Sequence, residues 1–287
     1  MSALAVAPLA ALVYEPFVRA ALIDDLGVGG DLTSAATIPA GMKARAVLVA
    51  REAGRLAGLE FAICAFRLLD SRALCESLLR DGEDVHAGAT IATIECDARA
   101  LLSAERTALN LLGHLCGIAS ATAAYVRACA GTRCAVSETR KTLPGLRALQ
   151  KYAVRVGGGA NHRFRLDDAV LIKDNHVALA GGVTAALHAA RAGVGHLVKI
   201  EIEVDSLAQF DEALAHDGAD VILLDNFTPA ELREAVRRAA GRVTLEASGG
   251  ITLESAGQIA ATGVDVMSVG ALTHSVRALD VGLDIAG

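Results

Sequence analysis

Between Ser137 and His176 the chain gathers Arg140, Lys141, Arg147, Lys151, Arg155, His162, Arg163, Arg165 and Lys173. The protein as a whole carries a formal net charge of −6, so this stretch is a cationic island in an acidic chain. Pro144, the glycines at 157, 158 and 159, and two apolar strand-like runs interrupt the charges, unlike an ordinary solvated basic face. A cleft focuses local field whatever the global charge, so such a cluster suits a small ligand with several negative charges.

Two further sets of residues could do chemistry. Glu203 and Asp225 close neighbouring strand candidates and point into one space. Paired carboxylates there can bind Mg²⁺, directly or through water, hydrogen-bond ribose hydroxyls, and stabilise developing positive charge; membership of an internal salt bridge is the alternative. Ser248-Gly249-Gly250 lies between a strand candidate and a helix starting near Thr252. Bare glycines let backbone N–H groups approach an anion, and the helix start adds a positive dipole, so this loop, with Gly270 after the next strand, reads as a phosphate site. A plain tight turn is the competing reading.

These groups must be held by elements, and the chain changes grammar along its length. A helix over 15–26, with Pro16 in its first turn, ends at Gly27. Gly27-Val28-Gly29-Gly30 has neither a strand before it nor a helix after it, which argues against a dinucleotide fingerprint. Strand candidates at 44–50, 73–79 and 89–94 and a helix at 59–69 follow without regular alternation, as in an α+β domain. A long helix over 98–115 carries Arg106, Asn110 and His114 as one polar stripe, and a second helix covers 120–130.

After Thr132 strands at 134–137, 169–173, 198–204, 221–224, 243–247 and 266–269 alternate with helices at 184–192, 206–215, 229–239 and 253–261, which predicts a parallel sheet. In the third strand Val198, Ile200, Ile202 and Val204 face one way, while Lys199, Glu201, Glu203 and Asp205 face the other. The fifth divides in the same manner, with Thr244, Glu246 and Ser248 on the polar side. A central strand of an open doubly wound sheet is apolar on both faces, so the split favours a barrel with ion pairs in its lumen. Lys199 and Glu246 could equally be a purely structural ion network. Reactive side chains recur at strand ends, where barrel active sites sit.

Composition sets outer bounds. At 287 residues and 53% hydrophobic, the chain can bury a large core as one or two domains. Its acidic balance disfavours nonspecific nucleic-acid or membrane-surface binding. Six scattered cysteines (64, 75, 96, 116, 129 and 134) lack the spacing of a zinc site and read as buried thiols in a reducing compartment. The apolar opening, residues 1–13, has no basic residue before Arg19 and is interrupted by Pro8, so neither a signal peptide nor a membrane span is expected; the cytoplasm is the expected address.

The motifs Thr139-Arg140-Lys141-Thr142-Leu143-Pro144-Gly145, Lys151-Tyr152-Ala153-Val154, Asn161-His162-Arg163 after three glycines, and Leu171-Ile172-Lys173-Asp174-Asn175-His176 resemble the quinolinate phosphoribosyltransferases. So do Glu105 to Asn110, Leu224-Asp225-Asn226-Phe227, Ser248-Gly249-Gly250 and Val269 to Ser275. The resemblance covers nearly the whole chain in order. It implies an α/β fold: an incomplete, seven-stranded α/β barrel at 116–274, with an N-terminal α+β sandwich domain at 1–115 to which the tail 275–287 returns.

The resemblance further implies transfer of phosphoribosyl from phosphoribosyl pyrophosphate to quinolinate with decarboxylation, in NAD biosynthesis. Arg140, His162, Arg163 and Lys173 match quinolinate contacts, and Arg106 matches one supplied across a homodimer; higher assembly stays open. Lys141 matches a residue on the pyrophosphate side. Glu203 and Asp225 match Mg²⁺ and ribose contacts. Ser248, Gly249, Gly250, Gly270 and His274 complete the substrate contacts, and Lys141, Lys173, Glu203 and Asp225 are the expected catalytic set. Arg165 stands where relatives usually have glycine, which leaves its role open. A molybdenum-operon paralogue tends to lose the lysine that Lys173 matches here. A nicotinate-using enzyme should not need so many cations, a sugar-phosphate isomerase or aldolase would lack the arginine cluster, and a non-catalytic binding protein would not need Glu203 and Asp225.

Overall fold

The computed structural model describes residues 6–216 and 218–286, so the first five residues of the apolar opening lie outside the described residues. In chain order the elements begin with α1 (Ala11–Leu26), α2 (Leu32–Thr37), β1 (Lys43–Ala50), β2 (Gly54–Arg55), α3 (Leu59–Leu69), β3 (Leu74–Ser77), β4 (Asp84–Val85), β5 (Thr90–Asp97) and α4 (Ala98–Ala128). They continue with β6 (Ala135–Ser137), α5 (Arg147–Val156), β7 (Val170–Ile172), α6 (Asp174–Ala180), α7 (Val183–Gly193), β8 (Ile200–Val204) and α8 (Leu207–Ala215). The last are β9 (Val221–Asp225), α9 (Pro229–Ala239), β10 (Thr244–Ser248), α10 (Leu253–Ala260), β11 (Val266–Ser268), α11 (Ala271–His274) and β12 (Val281–Ile285). The chain forms two compact units, one from 1–123, 142–158 and 272–287, the other from 124–141 and 159–271.

In the first unit an antiparallel sheet runs in the order β12-β1-β5-β3. Period-two alternation turns Ala46, Leu48 and Ala50 of β1 and Ala92, Ile94 and Cys96 of β5 to a core shared with Phe66 and Ile63 of α3 and Leu112 and Leu115 of α4. Each large apolar side chain buried there contributes about 1.5–3 kcal/mol. Gly27 terminates α1 with φ 55°, its N–H donating to the Ile23 carbonyl. Two expectations change here. α1 begins at Ala11, which puts Pro16 in the second turn, and the glycine run is followed by a helix after all. Asp31 starts α2 by accepting the Ser34 N–H at 2.9 Å and the Ser34 hydroxyl, a local signal that a glycine count overlooks.

The expected break between 115 and 120 is also absent, since α4 is one helix of 31 residues. Its glycines mark close approach instead of termination. A Cβ on Gly117 would lie 2.2 Å from the Arg277 carbonyl oxygen, and one on Gly113 would lie 2.7 Å from that of Leu279. The tail therefore lies directly on the α4 backbone, with the Leu279 N–H donating to the Gly113 carbonyl at 2.9 Å. Glu52 accepts from Arg277 at 2.7 Å and from the Asp280 N–H at 3.0 Å, and β12 then pairs antiparallel with β1. α4 is long and apolar enough to cross a membrane, but 56% of its most apolar window is buried within the protein.

In the second unit every strand pair is parallel, in the order β6-β11-β10-β9-β8-β7. Apart from the return of β11 to β6, each strand lies beside the next one in the chain. Right-handed crossovers taken always in one direction place all the helices on one face, so the other face can be shielded only by curling on itself. Ala160 marks a seventh position, forming a parallel bridge with Ser137 on the flank of β6 opposite β11. Among the described residues nothing pairs that position with β7, so the barrel is incomplete. Lys199 corrects the inward placement expected for it: it precedes β8, is 74% exposed, and pairs with Asp220 at 2.8 Å.

Gly117→Ala should lower the melting temperature by several degrees, corresponding to about 1–3 kcal/mol of overpacking against main chain. Thermal unfolding followed by circular dichroism checks it, with Gly29→Ala as the comparison, because a Cβ at 29 meets nothing within 4 Å and the backbone there is not left-handed.

Candidate active site

The carboxyl ends of the parallel strands form one rim, and the chemistry-bearing residues are strung along it. Lys173 follows β7, Glu203 lies near the end of β8, Asp225 ends β9, Ser248 ends β10, and Gly270 comes two residues after β11. Register pairs Ser248 with Asp225 directly. The Lys173 Nζ donates to Glu203 Oε2 at 2.9 Å, bridging β7 and β8. Lys173 is 47% exposed and Glu203 17%, so this pair contributes at most about 1 kcal/mol and is free to exchange partners. His176 accepts the Lys173 N–H on Nδ1 at 2.9 Å and so fixes the chain where it enters α6.

Between β9 and β10 the sequence sets a tight constraint. Asn226 adopts φ 57°, a left-handed conformation that asparagine tolerates better than most residues. From there its N–H donates to the Ser248 carbonyl at 2.9 Å and its amide donates to Asp225 Oδ2 at 2.8 Å. Gly249, at φ 92°, passes so close that a Cβ would lie 2.2 Å from Asn226 Oδ1. Thr252 then caps α10, accepting the Ser255 N–H at 3.4 Å.

Deeper in the lumen lies a buried polar cluster. Glu138, fully buried, accepts the Asn161 side-chain amide at 3.0 Å and the His162 N–H at 3.2 Å, which ties the 159–169 loop to β6. The Arg163 N–H donates to His162 Nδ1 at 2.8 Å. Because Nδ1 accepts, the ring proton belongs on Nε2. Nε2 faces Glu201 Oε2 at 3.1 Å and Glu246 Oε1 at 3.5 Å. Burial, and then the neighbouring Glu201 charge, push the Glu246 carboxyl up to about 7. Among the described residues these three form the one donor cluster close enough to surround a cation, with donor atoms within 4.8 Å of one another. The Nε2 proton points into that space.

Above the cluster, Arg163 donates from Nη1 to the Ala169 carbonyl at 2.9 Å. Its guanidinium is held below its ordinary range by burial, and then by Arg140 beside it, with Glu201 acting in the opposite sense. The Nε of Arg140 and the Nε of Arg163 are both buried without a hydrogen-bond partner. A buried unsatisfied donor on a charged group costs roughly 1–3 kcal/mol or more, so two side by side favour an anionic acceptor.

The remaining expected residues are placed as follows. Lys141 is exposed, its N–H donating to Thr139 Oγ1 at 3.0 Å. Gly250, at φ 58°, follows Gly249. Arg106, on α4, and His274, at the end of α11, belong to the first unit; the Arg106 side chain is 65% exposed. Arg165 is exposed, and its N–H closes a turn onto Asp168 Oδ1 at 3.0 Å. Burial raises the thiols, Cys116 and Cys134 to about 12. Sequence reasoning misses Glu138, Asn226 and His176 as positioning residues, although all three lie inside or beside the motifs given above; what identifies them is pairing, which spacing does not encode.

Residues 31–116 match the family described as quinolinate phosphoribosyl transferase, N-terminal domain, and residues 118–284 match its C-terminal domain. A nicotinate-nucleotide pyrophosphorylase (carboxylating) of Mycobacterium leprae is 50% identical over 275 residues, covering 93% of this chain and 95% of the relative. A quinolinate phosphoribosyltransferase (decarboxylating) of Nicotiana tabacum is 38% identical, covering 93% of this chain and 81% of the relative. The crystal structure of NadC from Streptococcus pyogenes is 40% identical and superposes with a TM-score of 0.93, over 98% of this chain and all of that one. With both domains matched in order and identity of this level along the chain, the protein belongs to the quinolinate phosphoribosyltransferase family.

Proposed function

We propose that this protein transfers the phosphoribosyl group of phosphoribosyl pyrophosphate to quinolinate with loss of CO₂, forming nicotinate mononucleotide and pyrophosphate for NAD synthesis. The observation that carries this reading is the pair Arg140 and Arg163, adjacent and each with a buried, unsatisfied Nε, which calls for a ligand with more than one carboxylate. The names of the relatives support it, since they are called nicotinate-nucleotide pyrophosphorylase and quinolinate phosphoribosyltransferase.

Arg140, Arg163 and Lys173 bind the pyridine dicarboxylate, and His162 orients Arg163. Arg106 joins them from the partner subunit of a homodimer. The backbone of Ser248, Gly249, Gly250 and Gly270 receives the 5-phosphate, His274 adds a substrate contact, and Lys141 meets the pyrophosphate. The ring nitrogen attacks C1 of the ribose as the C1–oxygen bond to pyrophosphate breaks. Glu203 and Asp225 stabilise the positive charge that develops on the sugar and hold its hydroxyls. The ring nitrogen is then cationic, so the neighbouring carboxylate leaves as CO₂ and its electron pair stays on the ring carbon, which takes up a proton. The substrate is its own electron sink, and the protein contributes position and field.

Glu203 and Asp225 offer the hard oxygen donors that Mg²⁺ prefers, at the ends of adjacent strands, and Glu203 is released for that role when Lys173 turns to substrate. Bound there, Mg²⁺ would supply neutralisation of the departing pyrophosphate. The free thiols and the acidic overall charge suit a cytoplasmic enzyme.

With quinolinate, phosphoribosyl pyrophosphate and Mg²⁺, the purified protein should release labelled CO₂ in step with mononucleotide formation. Nicotinate should be used at least about 100-fold less efficiently, the cost of leaving part of the arginine pair unanswered; equal turnover of nicotinate would displace the proposal. Gly249→Ala should lower kcat/KM for phosphoribosyl pyrophosphate about 10- to 100-fold, or about 1.4–2.8 kcal/mol, with a smaller change in quinolinate binding measured by calorimetry. Arg106→Ala and Lys173→Ala proteins, each inactive, should regain part of the activity on mixing. No recovery after subunit exchange verified by mass spectrometry would count against a shared site.

A further inference from the structure

Residues 161–169 form neither helix nor strand, so the main-chain N–H groups of this segment need partners outside any ladder. Four successive groups find side chains. The His162 N–H donates to Glu138 Oε1 at 3.2 Å and the Arg163 N–H to His162 Nδ1 at 2.8 Å. The Phe164 N–H donates to Asp168 Oδ2 at 2.6 Å and the Arg165 N–H to Asp168 Oδ1 at 3.0 Å. Arg163 is therefore bracketed. On its N-terminal side stands the fully buried Glu138, and on its C-terminal side an exposed carboxylate that collects two consecutive N–H groups.

The Arg163 side chain turns back on the same segment, Nη1 donating to the Ala169 carbonyl at 2.9 Å. Where the guanidinium lies thus depends on two points of the chain, the Arg163 backbone and the carbonyl at 169. Asp168 sits beside the second of these and bonds the residue beside the first, so its carboxylate sets the distance between them. The Nε of Arg163, buried and without a hydrogen-bond partner, is aimed by that distance.

A carboxylate near a guanidinium also acts as a charge, and the two effects differ in sign. The Asp168 anion acts on Arg163 in the same sense as Glu201, against burial and against Arg140. As a charge alone it offsets part of the positive field and weakens the hold on an anion. That effect is small at an exposed position, where water and salt screen it. Hydrogen bonds from N–H groups to an ionised carboxylate are among the strong ones, and here one side chain makes two. Geometry outweighs charge.

We propose that Asp168 is a positioning residue, whose carboxylate ties the 164–168 turn and thereby holds the Arg163 guanidinium aimed at a carboxylate of the pyridine ligand. The ligand keeps that carboxylate contact before and during transfer of the sugar, so the loss of Asp168 falls on binding and not on the chemical step.

The inference rests on quinolinate being the ligand, and turnover of quinolinate by the unaltered enzyme tests that reading separately. Asp168→Ala should raise the Kd for quinolinate, measured by calorimetry, and its KM about 10- to 100-fold, the usual penalty for a displaced binding group. Both kcat and the KM for phosphoribosyl pyrophosphate should stay nearly unchanged. Asp168→Asn, which keeps one oxygen to accept an N–H, should fall between Asp168→Ala and the unaltered enzyme. In an Arg163→Ala background the effect of Asp168→Ala on quinolinate should vanish, since the residue through which it acts is gone.

Tighter quinolinate in Asp168→Ala and Asp168→Asn would overturn the proposal in favour of a purely electrostatic effect. A lowered melting temperature with unchanged quinolinate Kd would overturn it in favour of a turn that serves stability alone, and so would an equal loss with and without Arg163. Should Asp168→Ala fail to fold, Asp168→Asn decides the point: weaker quinolinate supports the assignment, and equal or tighter binding overturns it.

Discussion

Two guanidinium groups held side by side, each with a donor that the described protein leaves unanswered, set the terms for the rest of the barrel unit. Arg140 and Arg163 repel one another, and the Nε of each is buried. Such an arrangement survives only if the surrounding framework over-determines it. The framework is polar where most cores are apolar: Glu138 anchors the loop that carries Arg163, His162 takes the Arg163 N–H, and Glu201 supplies the opposing charge. The strain of like charges is thus stored against the arrival of an anion.

Parallel strands wound in a single direction explain how this is assembled. A sheet that must curl brings inward-facing residues of non-adjacent strands together, and Glu201 on β8 meets Glu246 on β10 with β9 between them. The same geometry collects the strand ends into one rim, where Asp225 and Ser248 share a register and Lys173 reaches Glu203. The left-handed Asn226 joins the carboxylate side of that rim to its glycine side, since one residue holds Asp225 by its amide and Ser248 by its N–H.

Much of this is legible in the order of residues alone. Alternation in 198–204 separates Glu201 and Glu203 from Ile200 and Ile202, although Glu201 is buried in β8 along with both isoleucines, and the βα spacing anticipates every strand of the parallel sheet. Alternation fails at Lys199, because the strand begins one residue later and the side chain turns to Asp220 on the surface. Helix propensity fails at 113–117, where glycine reads as a stop; only a tail more than 150 residues downstream reveals it as a seat. The short helix after Asp31 escapes a reading by pattern because its one strong signal is a capping carboxylate. In each case the missing information is a tertiary partner, or a local bond masked by louder residues. The roles of Glu138, Asn226 and His176 belong to the same class, since their identities are plain in the sequence and their bonds are not deducible from it.

The pairing of β12 with β1 has a bearing on how the protein comes into being. Ala46 finds its partner Ile285 more than two hundred residues later, so the edge of the first sheet stays open while the residues between them are synthesised. Contacts of such long sequence separation are slow to form and leave unpaired strand edges available to other chains in the meantime. The barrel unit, whose strands each find a neighbour within a few tens of residues apart from the single return of β11 to β6, can mature first on the ribosome. Completion of the β12-β1-β5-β3 sheet therefore waits on the synthesis of β12.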